Sequence, residues 1–291
     1  MGGRLRRAGR AVLAGCALAL AVGSPAHADP AGPTDYLSEV TAIDPATTTI
    51  TVVVIGGDSF VELEAAPGTE VIVIGYRGEE YLWFRADGTV LENQNSPSKY
   101  TNEERYGGGE IPASATPDAE PAWDPIGSGG RWAWHDHRAH WMQQIRPVGM
   151  AAGDQILEAV IPLRVDGGDV DVTVISTWQP AASRLPIGLG VVAGLATVAL
   201  GWLLRSGRWF AAVALPPAVL ALVAGVWQYV SLPPETGPRT VWWLLPALAT
   251  VGALVGIVAA RRGARFVAWA AVLLTGVELA IWGYIKRDGL S

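Results

Sequence analysis

The sequence predicts an all-β domain, an antiparallel sandwich of cupredoxin or immunoglobulin type, followed by a membrane domain of four α-helices. Short segments rich in β-branched residues, separated by Gly, Pro and Asp turn signals, fill most of residues 29–183. Long uncharged runs, each about long enough to cross a bilayer, occupy residues 184–291. These two patterns place the domain boundary near residue 183.

Residues 1–28 are predicted to be a secretory signal peptide. Four arginines precede an apolar run over 11–22, and Ala26-His27-Ala28 fits cleavage between small residues. An alternative is lipidation of Cys16, because Leu13-Ala14-Gly15-Cys16 matches a lipobox, but most of the apolar run follows Cys16. Cys16 is the only cysteine, so the exported domain has no disulfide. A blue-copper site, which needs a thiolate, is excluded as well.

The charge of the front domain limits its partners. Residues 29–184 hold 24 acidic and 9 basic side chains, a net charge of −15. A nucleic-acid partner is excluded on this balance, because backbone phosphates attract the opposite sign. An acidic surface concentrates cations, although it is also the usual way in which a secreted domain stays soluble.

Seven β-strands are predicted from alternation and turn signals: 39–43, 49–55, 60–64, 70–76, 81–85, 155–165 and 169–178. The segment 49–55 is apolar on both faces and is predicted to be a central strand. Asp166-Gly167-Gly168 predicts a hairpin between the last two strands. Residues 91–130 lack periodicity and are predicted to form a long loop that packs over a sheet near the histidines through Tyr100, Tyr106 and Trp123.

Three of the four histidines lie between Arg131 and Met142. In a strand His135 and His137 share one face, and His140 can join them if the chain turns at Arg138-Ala139. Imidazoles suit copper and zinc, and the thioethers of Met142 and Met150 in addition favour copper. We therefore predict a metal site, most plausibly for copper with zinc as the alternative, in which Asp136 accepts a hydrogen bond that orients an imidazole.

Other interpretations of this stretch stay open. The histidines and tryptophans could form a polar core in which Asp136 pairs with Arg138, or a protonation switch near neutral pH. A catalytic zinc with an open fourth position is a third possibility, although no nucleophile elbow, zincin helix or P-loop accompanies it. The predicted function is metal handling or sensing at the cell surface, and a non-enzymatic role is favoured. The alternative is an interaction scaffold that docks another envelope protein.

The four predicted membrane helices cover 187–204, 209–230, 241–260 and 266–285. Arginines cluster after the first and third segments, which predicts a multi-pass protein of the cell membrane with the front domain outside the cytoplasm. One amide and one carboxyl side chain fall within the apolar segments, those of Gln228 and Glu278. An intramembrane carboxyl group is costly, so we predict a hydrogen bond between them.

Four motifs carry a resemblance: Gly57-Asp58-Ser59-Phe60-Val61-Glu62-Leu63, Gly75-Tyr76-Arg77-Gly78-Glu79, Arg105-Tyr106-Gly107 and Trp134-His135-Asp136-His137-Arg138-Ala139-His140-Trp141-Met142. With them the chain resembles a family of actinobacterial cell-envelope proteins that join a signal peptide and an extracytoplasmic β-domain to C-terminal membrane segments. The resemblance implies this architecture. It implies no particular activity.

Overall fold

A computed structural model describes residues 34–181, 183–204, 207–237 and 239–286. The predicted signal peptide, with Cys16, lies outside the described residues. The described chain begins with ten strands: β1 Tyr36–Asp44, β2 Ile50–Ile55, β3 Phe60–Ala65, β4 Val71–Ile74, β5 Glu80–Phe84, β6 Val90–Asn93, β7 Trp123–Gly127, β8 Arg131–Trp134, β9 Gln155–Val165 and β10 Gly168–Trp178. A short helix, α1 (Pro97–Thr101), lies between β6 and β7.

The strands form two sheets. One has seven strands in the order β1-β10-β9-β4-β5-β6-β7, and the other has three in the order β2-β3-β8. Every pairing within them is antiparallel. Side chains from both sheets meet in one hydrophobic core, which includes Leu63 of β3, Val73 of β4 and Leu163 of β9. Burying a side chain of this size stabilises the fold by about 1.5–3 kcal/mol.

The β9–β10 hairpin forms where the sequence predicts it. Val165 pairs with Gly168, so Asp166 and Gly167 alone make the turn. Both have positive φ, 47° and 83°, which is the conformation of the two-residue turns that match the twist of a hairpin. A glycine at 167 adopts it without the steric cost that other residues meet.

Two predictions about the β-domain were wrong. The segment 49–55 is not central, because β2 lies at the edge of the three-stranded sheet and buries Ile50 and Val52 while Val53 stays exposed. The stretch 91–130 is not one loop, because it contains the end of β6, the helix α1 and β7. Pro125 lies in β7, which is an edge strand, and an edge strand tolerates a residue without a backbone N–H.

The C-terminal part is helical: α2 Leu185–Leu204, α3 Gly207–Val230, α4 Thr240–Arg261 and α5 Arg265–Ile285. Within the described residues three stretches are long and apolar enough to cross a membrane, Ala212–Val230, Thr240–Arg261 and Arg265–Ile285. The prediction of four was wrong in this count. In α2 the described apolar stretch is Ile187–Ala196, which is shorter than these three.

Small residues let the membrane-length helices approach closely. Ala249 and Ala253 of α4 and Ala271 of α5 are buried, and Thr275 of α5 donates a hydrogen bond to the carbonyl of Ala249 at 3.2 Å. Such close backbone approach is typical of helix association in lipid, where apolar burial gives little driving force.

A short 3₁₀ turn, Pro234–Thr236, joins α3 to α4 and contacts β8. The connection between α3 and α4 therefore lies beside the strand that leads into the histidines. This contact places the α3–α4 connection and the β-domain at the same end of the helices.

Candidate metal centre

A turn that follows strand β8 brings the three histidines together. None of them lies in the strand itself. Strand β8 ends at Trp134, one residue before His135, and His137–Ala139 form a 3₁₀ turn. Asp136 caps this turn, because its carboxylate accepts a hydrogen bond from the backbone N–H of Arg138 at 3.0 Å. The predicted turn at Arg138-Ala139 is thus present, and it returns His140 to the other two rings.

The structure brings His135, His137 and His140 together. Each can offer one ring nitrogen, and the three nitrogens lie within 4.8 Å of one another. The Nε2 atoms of His135 and His140 are 3.0 Å apart. His135 and His140 are buried, whereas His137 is half-buried. Such a group can hold a metal ion.

Backbone carbonyls determine which nitrogen of each ring carries the proton. Nδ1 of His135 lies 2.8 Å from the oxygen of Ser59, and Nδ1 of His140 lies 3.1 Å from the oxygen of Trp141. Nε2 of His137 lies 2.8 Å from the oxygen of Glu104. A carbonyl oxygen only accepts, so each of these nitrogens donates. In a neutral imidazole the other nitrogen then presents a lone pair.

Burial keeps these rings neutral. Desolvation lowers the pKa of His135 to about 4, against the opposing effect of the Ser59 carbonyl. Desolvation, together with the charge of the neighbouring His135, lowers the pKa of His140 to about 3. Desolvation also lowers the pKa of His137. The rings are therefore unprotonated at neutral pH, which is the state that binds a metal.

Asp136 holds the turn. Its buried carboxylate accepts from Trp134 Nε1 at 2.9 Å and from Arg138 Nε and Nη2 at 2.9 and 2.8 Å. Burial opposes its ionisation, but Arg138 and these hydrogen bonds outweigh burial and lower the pKa of Asp136. Among the described residues no histidine ring nitrogen is a partner of this carboxylate, so the predicted orientation of an imidazole by Asp136 is not seen. The alternative pairing of Asp136 with Arg138 is formed.

Two residues for which the sequence suggested no role lie near the cluster. Tyr76 stacks on His137 with ring centroids 5.9 Å apart, and its hydroxyl accepts from the His137 backbone N–H at 2.8 Å. Arg105, buried beside Asp58, lies near enough for its charge to lower the pKa of all three histidines. Both residues lie in the motifs on which the resemblance to envelope proteins depends. Their place in those motifs was the only feature of the sequence that could have indicated a role for them.

The other predicted site residues are placed differently. Met142 is half-buried just after the cluster, and Met150 is 42% exposed in the connection to β9. Thioether ligation therefore stays a prediction. In the helices, Gln228 is exposed and Glu278 is half-buried. No hydrogen bond joins those two side chains in the described part of the chain, so the predicted pairing is not formed.

A surface cavity of about 460 Å³ lies elsewhere on the β-domain. Glu64, Ala65, Arg85 and Gly130 are among its lining residues. The cluster is near the start of β3, through Ser59, and the cavity is at the end of β3. Five residues of strand separate these ends, roughly 17 Å at 3.3–3.4 Å per residue. The cavity is thus not the histidine site.

Comparisons with protein-family models, with curated proteins and with solved structures find no match for this chain. Its function has to be argued from the chemistry of the site, because a fold alone does not determine an activity.

Proposed function

We propose that the β-domain binds one transition-metal ion through His135, His137 and His140. The observation that carries this proposal is the 3.0 Å separation of the Nε2 atoms of His135 and His140. Both rings use their single proton on a backbone carbonyl, so two lone pairs face each other. Two facing lone pairs repel unless a cation lies between them.

A metal ion satisfies this geometry better than a proton does. Nitrogens 3.0 Å apart that are each about 2.0–2.1 Å from one ion subtend roughly 91–97° at it, which is within the range of metal–imidazole geometry. A shared proton is disfavoured near pH 7, because the pKa values of His135 and His140 are about 4 and about 3. A purely structural histidine network leaves the repulsion uncompensated.

Copper is the ion we favour, with zinc as the alternative. Three imidazoles suit either ion, and a thioether from Met142 or Met150 would favour Cu(I). Carbonyl acceptors on the outer nitrogens fix the ring orientations, the role that such partners have in metalloproteins. The half-buried ring of His137 is the natural point of entry for the ion.

The proposed role is metal handling or sensing at the outer face of the cell membrane. Membrane-length helices, the acidic front domain and the resemblance to actinobacterial envelope proteins support this location. Under the competing proposal, an interaction scaffold, the same fold would dock an envelope partner and the histidines would be structural. Metal binding separates the two.

The test uses the full-length protein in detergent, stripped of metal and titrated with Zn(II), Cu(II) and, under reducing conditions, Cu(I). We expect one ion per chain with a Kd below micromolar. His137→Gln should weaken binding at least tenfold, because it removes one of three ligands. Gln144→Ala, an exposed change in the same segment, is the matched control and should bind as the parent does.

Near-UV circular dichroism shows whether each variant keeps its tertiary packing. The metal proposal fails if the parent binds none of the three ions more tightly than micromolar. It also fails if a folded His137→Gln variant keeps the parent's affinity for every ion, since the histidines would then not be the ligands.

A further inference from the structure

The three histidines leave part of the coordination sphere of a bound ion to other donors. Zinc and Cu(II) take four or more ligands, whereas the cluster offers three neutral nitrogens. The two buried carboxylates nearby are engaged elsewhere, Asp58 with Arg105 at 2.7 Å and Asp136 with Arg138 at 2.8 Å. The charge of a divalent ion would therefore not be neutralised by its protein ligands.

Arg105 is linked to the backbone groups that accept hydrogen bonds from two of the histidines. It follows Glu104, whose carbonyl oxygen accepts from His137. Its Nη2 donates to Asp58, the residue before Ser59, whose carbonyl accepts from His135. The guanidinium thus connects the backbone supports of His135 and His137.

One donor of this guanidinium is unused. Arg105 is 9% exposed, and its Nε is buried with no hydrogen-bond partner among the described residues. A buried N–H without an acceptor destabilises the fold, and more so when it belongs to a charged group. An acceptor that approaches from the metal would remove this cost.

We propose that the metal ion carries a small exogenous anion as a further ligand and that Arg105 binds this anion through its Nε–H. The proposal rests on the metal site proposed above. The anion neutralises part of the charge of the ion and supplies the acceptor that Arg105 lacks. Its class is a small monovalent anion such as hydroxide, formate, bicarbonate or azide, because buried rings and the stacked Tyr76 enclose the site.

The test uses the full-length protein in detergent, loaded with one Cu(II) per chain and titrated with azide. Azide bound to Cu(II) gives a charge-transfer absorption, so its affinity can be read directly. We expect the parent to bind azide. The double variant Asp58→Asn/Arg105→Met removes the buried pair together, which avoids an unpaired charge, and should weaken azide at least about tenfold, the effect of one charge-assisted hydrogen bond.

Arg105→Lys is a second variant that keeps a cation for Asp58 and lacks the Nε–H, and it should weaken azide as well. Arg146→Lys is the matched control, because Arg146 is exposed and pairs with Asp35 at the surface. Copper stoichiometry and near-UV circular dichroism are recorded for each protein.

The outcomes separate this inference from the metal proposal. A parent that binds no copper or other ion ends both. A parent that binds copper but shows no azide absorption ends the anion site alone. The same holds if folded, copper-loaded Arg105→Lys and the double variant bind azide within about twofold of the parent.

Discussion

Metal binding at mildly acidic pH should release few protons. An ordinary histidine is largely protonated at pH 6.0 and must lose its proton to bind a metal. In this protein, burial lowers the pKa of His135 to about 4 and, with the charge of His135, that of His140 to about 3. These two rings are already neutral at pH 6.0, so the ion displaces no proton from them.

The magnitude follows from the pKa values. A histidine with a pKa of about 6.5 is roughly 76% protonated at pH 6.0, so three ordinary histidines would release about 2.3 protons. Here His135 contributes about 0.01 and His140 less, and His137, whose pKa is also lowered, contributes less than about 0.8. Ionisation of a metal-bound water with a pKa near 7 adds about 0.1. We therefore expect fewer than one proton per zinc ion.

Isothermal titration calorimetry of the full-length protein with Zn(II) in two buffers of different ionisation enthalpy measures this number at pH 6.0. Because the neutral form is favoured in the folded site, binding should weaken only modestly between pH 7 and pH 5.5. Release of two or more protons per ion would refute the reasoning, since the rings would then be protonated and solvated in the free protein.

Three further outcomes are expected. Asp136→Asn should lower the free energy of unfolding by about 3–5 kcal/mol in chemical denaturation, because it leaves the arginine partner buried and unpaired, whereas the exposed Asp118→Asn should have no measurable effect. The thermal midpoint of the metal-free protein should fall from pH 6.5 towards pH 4, because the unfolded chain takes up protons that folded His135 excludes; a rising midpoint contradicts this. Single cysteines in a cysteine-free background, at Ser231 and Arg262, should react with an impermeant maleimide from opposite sides of the membrane, and labelling from one side would exclude the helix arrangement.

Local patterns in the sequence were enough to predict the β9–β10 hairpin and the grouping of the three histidines. Asp166 and Gly167 mark their turn by residue type, because few other residues adopt positive φ at little cost. The spacing of His135, His137 and His140 required only one turn to bring the rings together, and Asp136 is a residue type that caps such a turn. Each of these features depends on residues that are adjacent in the chain.

Features that depend on distant residues could not be predicted. The apolar residues on both faces of 49–55 suggest burial but do not show which strands lie beside this segment, so the edge position of β2 was missed. The acceptors for His135 and His137 are the backbone carbonyls of Ser59 and Glu104. Every residue has a backbone carbonyl, so residue type does not indicate which one accepts. The role of the buried Arg105 was also missed, because its partner Asp58 lies far away in the sequence.

The contact between β8 and the turn Pro234–Thr236 bears on how a metal ion would reach the proposed site. Four residues separate Arg131, at the start of β8, from His135, about 13 Å of extended chain. The imidazoles consequently lie close to the ends of two bilayer-length helices. If the proposed metal site is loaded by a donor, that donor would therefore approach it next to the lipid headgroups.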